Sequence, residues 1–370
     1  MRRILVENLE NYVRRGEVER AIKVLREEDD PIIRTELLCE LFKLVPWGMD
    51  YNIVRDELLS ARYLARDRKE KAIILSLIAE ALFQRGEEGK AVKMFSEAME
   101  TAERIGLPSS RAEALSGVAL NLLRAGFYED AYDLFVKAVE ALMSGETNTM
   151  PLLSKIADLI TGGVEGIDDP EWAVAHLHLA AEVYEYVGRN LSSSISKRKA
   201  ELIKRAIEGD VRILRRILAE NRVDDAVLIA RYLPKELRGM AFLEVSFWLY
   251  ANGHSEAGRQ VFEDAYSLLT AFPGVGEEEL FSIAVDFVKL GYPQLASRLA
   301  NLISSERLIS GLLARIAVAY YRSGEEFLAR TIAMGIPSET IKSRVLQEIG
   351  GEAHVGYEQG LQVAGGREKR

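Results

Sequence analysis

The residues in this chain best suited to chemistry are cations crowded into one stretch. Between positions 189 and 222 stand Arg189, Lys197, Arg198, Lys199, Lys204, Arg205, Arg212, Arg215, Arg216 and Arg222, against Glu201, Glu208, Asp210 and Glu220. Ten cations against four carboxylates make the stretch basic within a 370-residue chain of formal net charge −9. Lys197 and Lys204 are seven apart, as are Arg198 and Arg205, so each pair aligns on one helix face. Such a stripe suits the phosphates of a nucleic acid or an acidic partner surface. The competing reading is a solvated bridging helix paired with neighbours such as Glu182 and Glu185. No aromatic residue interleaves the stripe, so stacking on single-stranded bases is not supported.

Other reactive residue types lack the company that catalysis or metal binding requires. His176 and His178 are two apart on a helix, hence on nearly opposite faces, and do not chelate one metal together. His254 and His354 have no liganding neighbours in sequence. Cys39 is the single cysteine, which excludes an intrachain disulfide and a Cys-based zinc site. It lies in the apolar run Leu37–Phe42 and reads as a buried, inert thiol. The loop from Gly162 to Asp169 lacks the Gly-Lys-Ser/Thr of a P-loop and the alternating acids of an EF-hand, and reads as a turn insertion. There is no nucleophile elbow, no His-Glu-x-x-His and no Gly-x-Gly-x-x-Gly after a strand. The expectation is a protein that is not an enzyme and uses no cofactor or metal.

The elements around these residues are strongly patterned. Six glycines are followed five residues later by a small residue: Gly16/Ala21, Gly86/Ala91, Gly126/Ala131, Gly253/Gly258, Gly291/Ala296 and Gly324/Ala329. Asn221/Ala226 is a seventh pair, with Asn in the glycine's place. Each lies between two stretches of helical period. Around Gly126, Leu115, Val118, Ala119 and Leu122 recur upstream; Ala131, Phe135 and Ala138 recur downstream. The glycine ends the first helix at positive φ, and the small residue lets two antiparallel helices cross closely. One helical hairpin stacked many times is the implied architecture. Residues 31–66 and 150–188 fit the template less well, and a helix near 191–207 has no hairpin partner. Asp169 is an expected N-cap, with Pro170 at the first helical position.

This pattern resembles the tetratricopeptide repeat family, with its small residues at the helix crossing and an aromatic four residues after the second, as at Phe95, Phe135 and Phe262. The spacing departs from a regular 34-residue period. It is 40 from Ala91 to Ala131, 38 from Gly258 to Ala296 and 33 from Ala296 to Ala329. The resemblance implies an all-α, right-handed α-solenoid of about nine stacked antiparallel hairpins, a TPR-like superhelix. It also implies a concave groove lined by the first helix of each hairpin. The family's best-known groove binds a carboxylate with Lys, Asn and Arg, and those types are nearly absent from the positions expected to face it here.

The expected groove positions include Phe83, Leu120, Leu123, Met240, Leu243, Phe247, Tyr250, Phe281, Val285, Val288, Val318 and Tyr321, with Trp248 beside them. Such a groove suits an apolar or amphipathic segment of another protein; the alternative is that neighbouring repeats or the chain's own tail close it. The leading expectation is a cytoplasmic adaptor or scaffold, and the rival is a regulatory protein docking nucleic acid or an acidic partner through 189–222. The expected organisation is N-terminal hairpins over 1–188, basic bridging helices over 189–222, C-terminal hairpins over 223–350 and a flexible tail over 351–370. An uncapped terminal hairpin also leaves room for a homo-oligomer. No apolar stretch is long enough to span a membrane, and the start of the chain carries no secretory signal. The mildly acidic balance argues against a protein that chiefly coats nucleic acid, and the abundance of Glu, Arg and Lys is of the kind seen in thermophiles.

Overall fold

The computed structural model describes residues 2–144, 149–209, 212–272 and 276–350; the side chains of 2–7 and of Arg212 are outside that description. The expected tail at 351–370 and His354 lie outside the described residues. Regular structure is entirely helical among them: nineteen α-helices, two 3-10 turns and a last helical segment at 339–350. The chain divides into two compact units, the first ending at Lys204 and the second beginning at Arg205. The division falls inside the basic 189–222 segment.

The first unit contains α1 (Arg2–Arg14), α2 (Val18–Leu25), α3 (Pro31–Leu44), α4 (Met49–Ser60), α5 (Arg68–Gln84), α6 (Glu88–Glu103), α7 (Pro108–Arg124), α8 (Tyr128–Met143), α9 (Met150–Gly163) and α10 (Pro170–Tyr186). α11 (Asn190–Ile207) follows and runs across the division. Successive pairs from α1/α2 to α9/α10 form hairpins, and the first helices α1, α3, α5, α7 and α9 pack side by side. The second unit contains α12 (Arg212–Ala219), α13 (Val223–Tyr232), α14 (Lys235–Ala251), α15 (Ser255–Ala271), α16 (Glu277–Lys289), α17 (Pro293–Ala300), α18 (Glu306–Arg322) and α19 (Glu326–Met334). Its hairpins pair in the same way, and α12, α14, α16 and α18 form the layer of first helices. Each unit is therefore an α-solenoid of stacked antiparallel hairpins.

The turns explain why one motif recurs. The six turn glycines have φ between +70° and +91°, and Asn221 has φ +62°. In every one of these seven turns the residue after it donates its backbone N–H to the carbonyl five positions back, as from Phe127 to Leu122 at 3.0 Å and from Glu325 to Tyr320 at 2.9 Å. This closure satisfies carbonyls that the helix end leaves free and reverses the chain over two residues. The small residues Ala21, Ala91, Ala131, Ala226, Ala296 and Ala329 are fully buried where the paired helices cross. Phe135 and Phe262, four residues after such a site, are also fully buried; each such side chain contributes about 2–3 kcal/mol of apolar burial.

The two hairpins that fit the template poorly are hairpins nonetheless. α3 and α4 pack together across the Pro46-Trp-Gly turn, and α9 and α10 pack across a longer connection containing a 3-10 turn at Val164–Gly166. Asp169 caps α10, accepting from the backbone N–H of Glu171 at 2.9 Å and of Trp172 at 3.2 Å, with Pro170 at the first helical position.

Candidate functional site

A cleft of about 1110 Å³ opens in the second unit on the face built by first helices. α16 supplies Val285, Val288 and Lys289; α18 supplies Gly311, Ala314, Arg315, Val318 and Arg322; the segment 339–350 supplies Ile341, Arg344 and Val345. The α18 positions follow the helical period 0, 3, 4, 7 and 11, so one face of that helix forms the floor. The opposite faces of α16 and α18 carry the core residues Ile283, Phe287, Leu312 and Ile316. The floor is thus valine, alanine and glycine, and the walls are basic.

These cations are held in different ways. Lys289 pairs with Asp286 one turn earlier, at 2.8 Å. Arg315 donates one N–H to the Gly311 carbonyl at 2.8 Å, and its guanidinium lies 5.6 Å from the Phe281 ring centre. A Cβ on Gly311 would sit 3.5 Å from Arg315 Nη1 and 3.6 Å from Phe281 Cε2, ordinary contact distances, so both groups lie directly over this position. Among the described residues Arg322 and Arg344 have no ion-pair partner. Glu325 and Glu348 are the carboxylates of the lining.

The groove differs in composition from the sequence expectation. Val285, Val288 and Val318 line it as expected, and Phe281 lies beneath Arg315. Tyr250 does not: it is 8% exposed, with its ring 5.8 Å from Phe287 and 4.5 Å from Tyr292. It fills a gap left by Gly258, where a Cβ would come within 2.9 Å of Tyr250 Cδ2. Burial raises its hydroxyl above the ordinary tyrosine pKa. Leu243 is likewise fully buried, and so is Leu123 in the first unit. Phe247 is half-buried, edge-on to Phe287 at 5.4 Å, and Trp248 stacks on His254 at 6.5 Å. Tyr321 is half-buried against the cluster around Ala317 and Ile349. In the first unit Phe83 meets Phe127 edge-on at 5.0 Å, and Leu120 packs where α9 presents Gly163. Most of the expected aromatic groove residues therefore serve packing between hairpins. Arginine and lysine, nearly absent from the expected groove positions, line the cleft at Lys289, Arg315, Arg322 and Arg344. The missed signal was the period Ile341, Arg344, Val345, Glu348, which makes 339–350 a further first helix.

The basic stripe is divided and partly compensated. Lys197, Arg198 and Lys204 belong to the first unit; Arg205, Arg212, Arg215 and Arg216 belong to the second. Lys197 pairs with Glu185, and Lys204 Nζ lies 3.2 Å from His178 Nε2. Arg215 holds Glu244 through two N–H groups, and Arg222 bridges Glu220 and Asp225. Arg198 and Arg205 have interactions of their own, Arg216 is exposed, and the Arg212 side chain is outside the described residues. Among the described residues no helix is long and apolar enough to cross a membrane, and no three His, Cys, Asp or Glu side chains gather as a metal site.

No protein-family model matches the chain, and no curated protein sequence matches it. Among solved structures it is similar to Ton1535 from Thermococcus onnurineus NA1, at 23% identity over 94% of this chain and 99% of that one, with a TM-score of 0.55. That likeness is one of fold. Two weaker ones are to aspartyl phosphate phosphatase F from Bacillus subtilis (13% identity over 91% of this chain and 94% of that one, TM-score 0.29) and to a circular tandem repeat protein (16% over 97% and 90%, TM-score 0.19). At those scores they add nothing to the fold.

Proposed function

We propose that this chain is a non-catalytic, TPR-like scaffold of the cytoplasm that holds a segment of another protein in the first-helix groove of its second unit. The observation that carries the reading is the groove itself. Three successive first helices turn small apolar residues toward one open cleft, a surface that suits a docked peptide segment. The pairing of Lys197 and Arg215 with carboxylates leaves the basic segment 189–222 less able to bind nucleic acid than its composition suggests.

The test is site-specific photo-crosslinking in the native cell. A photoreactive phenylalanine analogue is placed at Thr340, an exposed residue of the groove lining, and, as control, at Thr331 on the exposed face of α19. The reading expects one protein adduct from position 340 and none from 331. Identical adducts from both positions, or adducts confined to the chain's own residues 351–370, overturn it.

A further inference from the structure

Resting on the groove reading, we infer that the segment docked there is acidic, with its carboxylates on the groove's arginines and its apolar side chains on the valine floor. Charge complementarity selects this partner. The chain as a whole carries a formal charge of −9, a field that repels acidic proteins. The groove is of opposite sign: with Lys289 paired to Asp286, Arg315, Arg322 and Arg344 still stand against Glu325 and Glu348. Cations elsewhere are often paired across helices, as in Arg26–Glu57, Arg298–Glu263 and Lys137–Glu103.

Not all four cations weigh equally. Lys289 and Arg322 end their helices, where a cation also serves the helix dipole. Arg315 and Arg344 lie inside their helical stretches, where that explanation is absent. Arg315 is moreover pre-positioned: its bond to Gly311 and its place over the Phe281 ring hold the guanidinium at the cleft and leave other N–H donors for a carboxylate. The floor between the arginines decides the class of macromolecule. Val285, Val288 and Val318 offer apolar contact to side chains and nothing to a phosphate backbone. Three adjacent helices at about 8–10 Å between axes span about 20 Å, the reach of an extended segment of about six residues. The chain's own residues 351–370 are not acidic on balance: Glu352, Glu358 and Glu368 are matched by Arg367, Lys369 and Arg370.

The experiment is selection of a random peptide display library on the full chain, followed by titration of a selected peptide. Selected peptides should combine Asp or Glu with Leu, Ile or Phe. Their affinity should fall about tenfold in the double variant Arg315→Gln, Arg344→Gln, the loss of two exposed ion pairs, and should weaken with salt. Binding should also be lost in Ala314→Phe, which plugs the cleft, with folding checked by a thermal melt; Val318→Asp serves as a second block. Neutral or basic peptides that bind equally well to the arginine variant but not to the plugged one overturn the acidic partner and leave the groove reading standing. Peptides that bind the plugged variants as well as the parent overturn both. An absence of any enrichment overturns the acidic partner, and the photo-crosslink then decides the groove by itself. Displacement of a selected peptide by a single-stranded oligonucleotide, lost on the arginine changes, overturns the protein partner in favour of nucleic acid.

Discussion

Tyr250 shows how a single residue changes meaning once its neighbours are known. Its ring occupies the space vacated by Gly258 and meets Phe287 and Tyr292, so it ties α14, α15 and α16 together. Tyr250→Ala should therefore cost about 3–4 kcal/mol, the range for emptying a buried aromatic site, with chemical denaturation as the readout. A variant as stable as the parent would return Tyr250 to the surface. The sequence placed Tyr250 beside Phe247 on one helix face, which is correct as periodicity. Periodicity cannot say which of two apolar faces is covered, because that depends on the glycine at 258 in another helix. The groove arginines were illegible for the same reason: Arg315 reads as a solvated charge until Gly311 and Phe281 are seen to hold it.

At the scale of the element, the hairpin turn was the most legible feature. Positive φ is demanded by the local chain reversal and supplied by residue type, so Gly16, Gly86, Gly126, Asn221, Gly253, Gly291 and Gly324 could be found without tertiary information. The turn also makes a sharp prediction. An alanine at 126 must sit at φ +86°, outside the ordinary range of an L-residue, so Gly126→Ala should destabilise by about 1–2 kcal/mol although no atom lies within 4 Å of the new Cβ. Asn221→Gly, at φ +62°, should change stability little, because glycine accepts that conformation at least as well. Denaturant midpoints of the two variants measure the contrast; equal losses would mean that the turns do not set hairpin stability. The segment 339–350 was less legible than the hairpins because no turn glycine and second helix follow it within the described residues.

At the scale of the whole molecule, a chain of stacked hairpins concentrates the effect of a change near its own repeat. His176 tests this. It is fully buried in the first unit, its Nδ1 donating to the Trp172 carbonyl at 2.8 Å, with the rings of Tyr132, Phe135 and Trp172 around it. Nε2 has no hydrogen-bond partner among the described residues. Burial therefore holds the imidazole pKa below its ordinary value of 6.5. In the unfolded chain the ring takes up a proton as pH falls through that value, while in the folded unit it stays neutral. Its contribution to stability is complete above pH 6.5 and declines below it, until the folded ring itself titrates. The decline amounts to about 1.4 kcal/mol for each unit by which the pKa is lowered. Hydrogen exchange followed between pH 7.5 and about 5, corrected for the intrinsic rate, should show protection falling in α8 and α10 while α16 and α18 are spared. His176→Phe should remove that pH-dependent loss in α8 and α10. A loss of equal size in both units, or one that persists in His176→Phe, would mean that other groups govern acid stability.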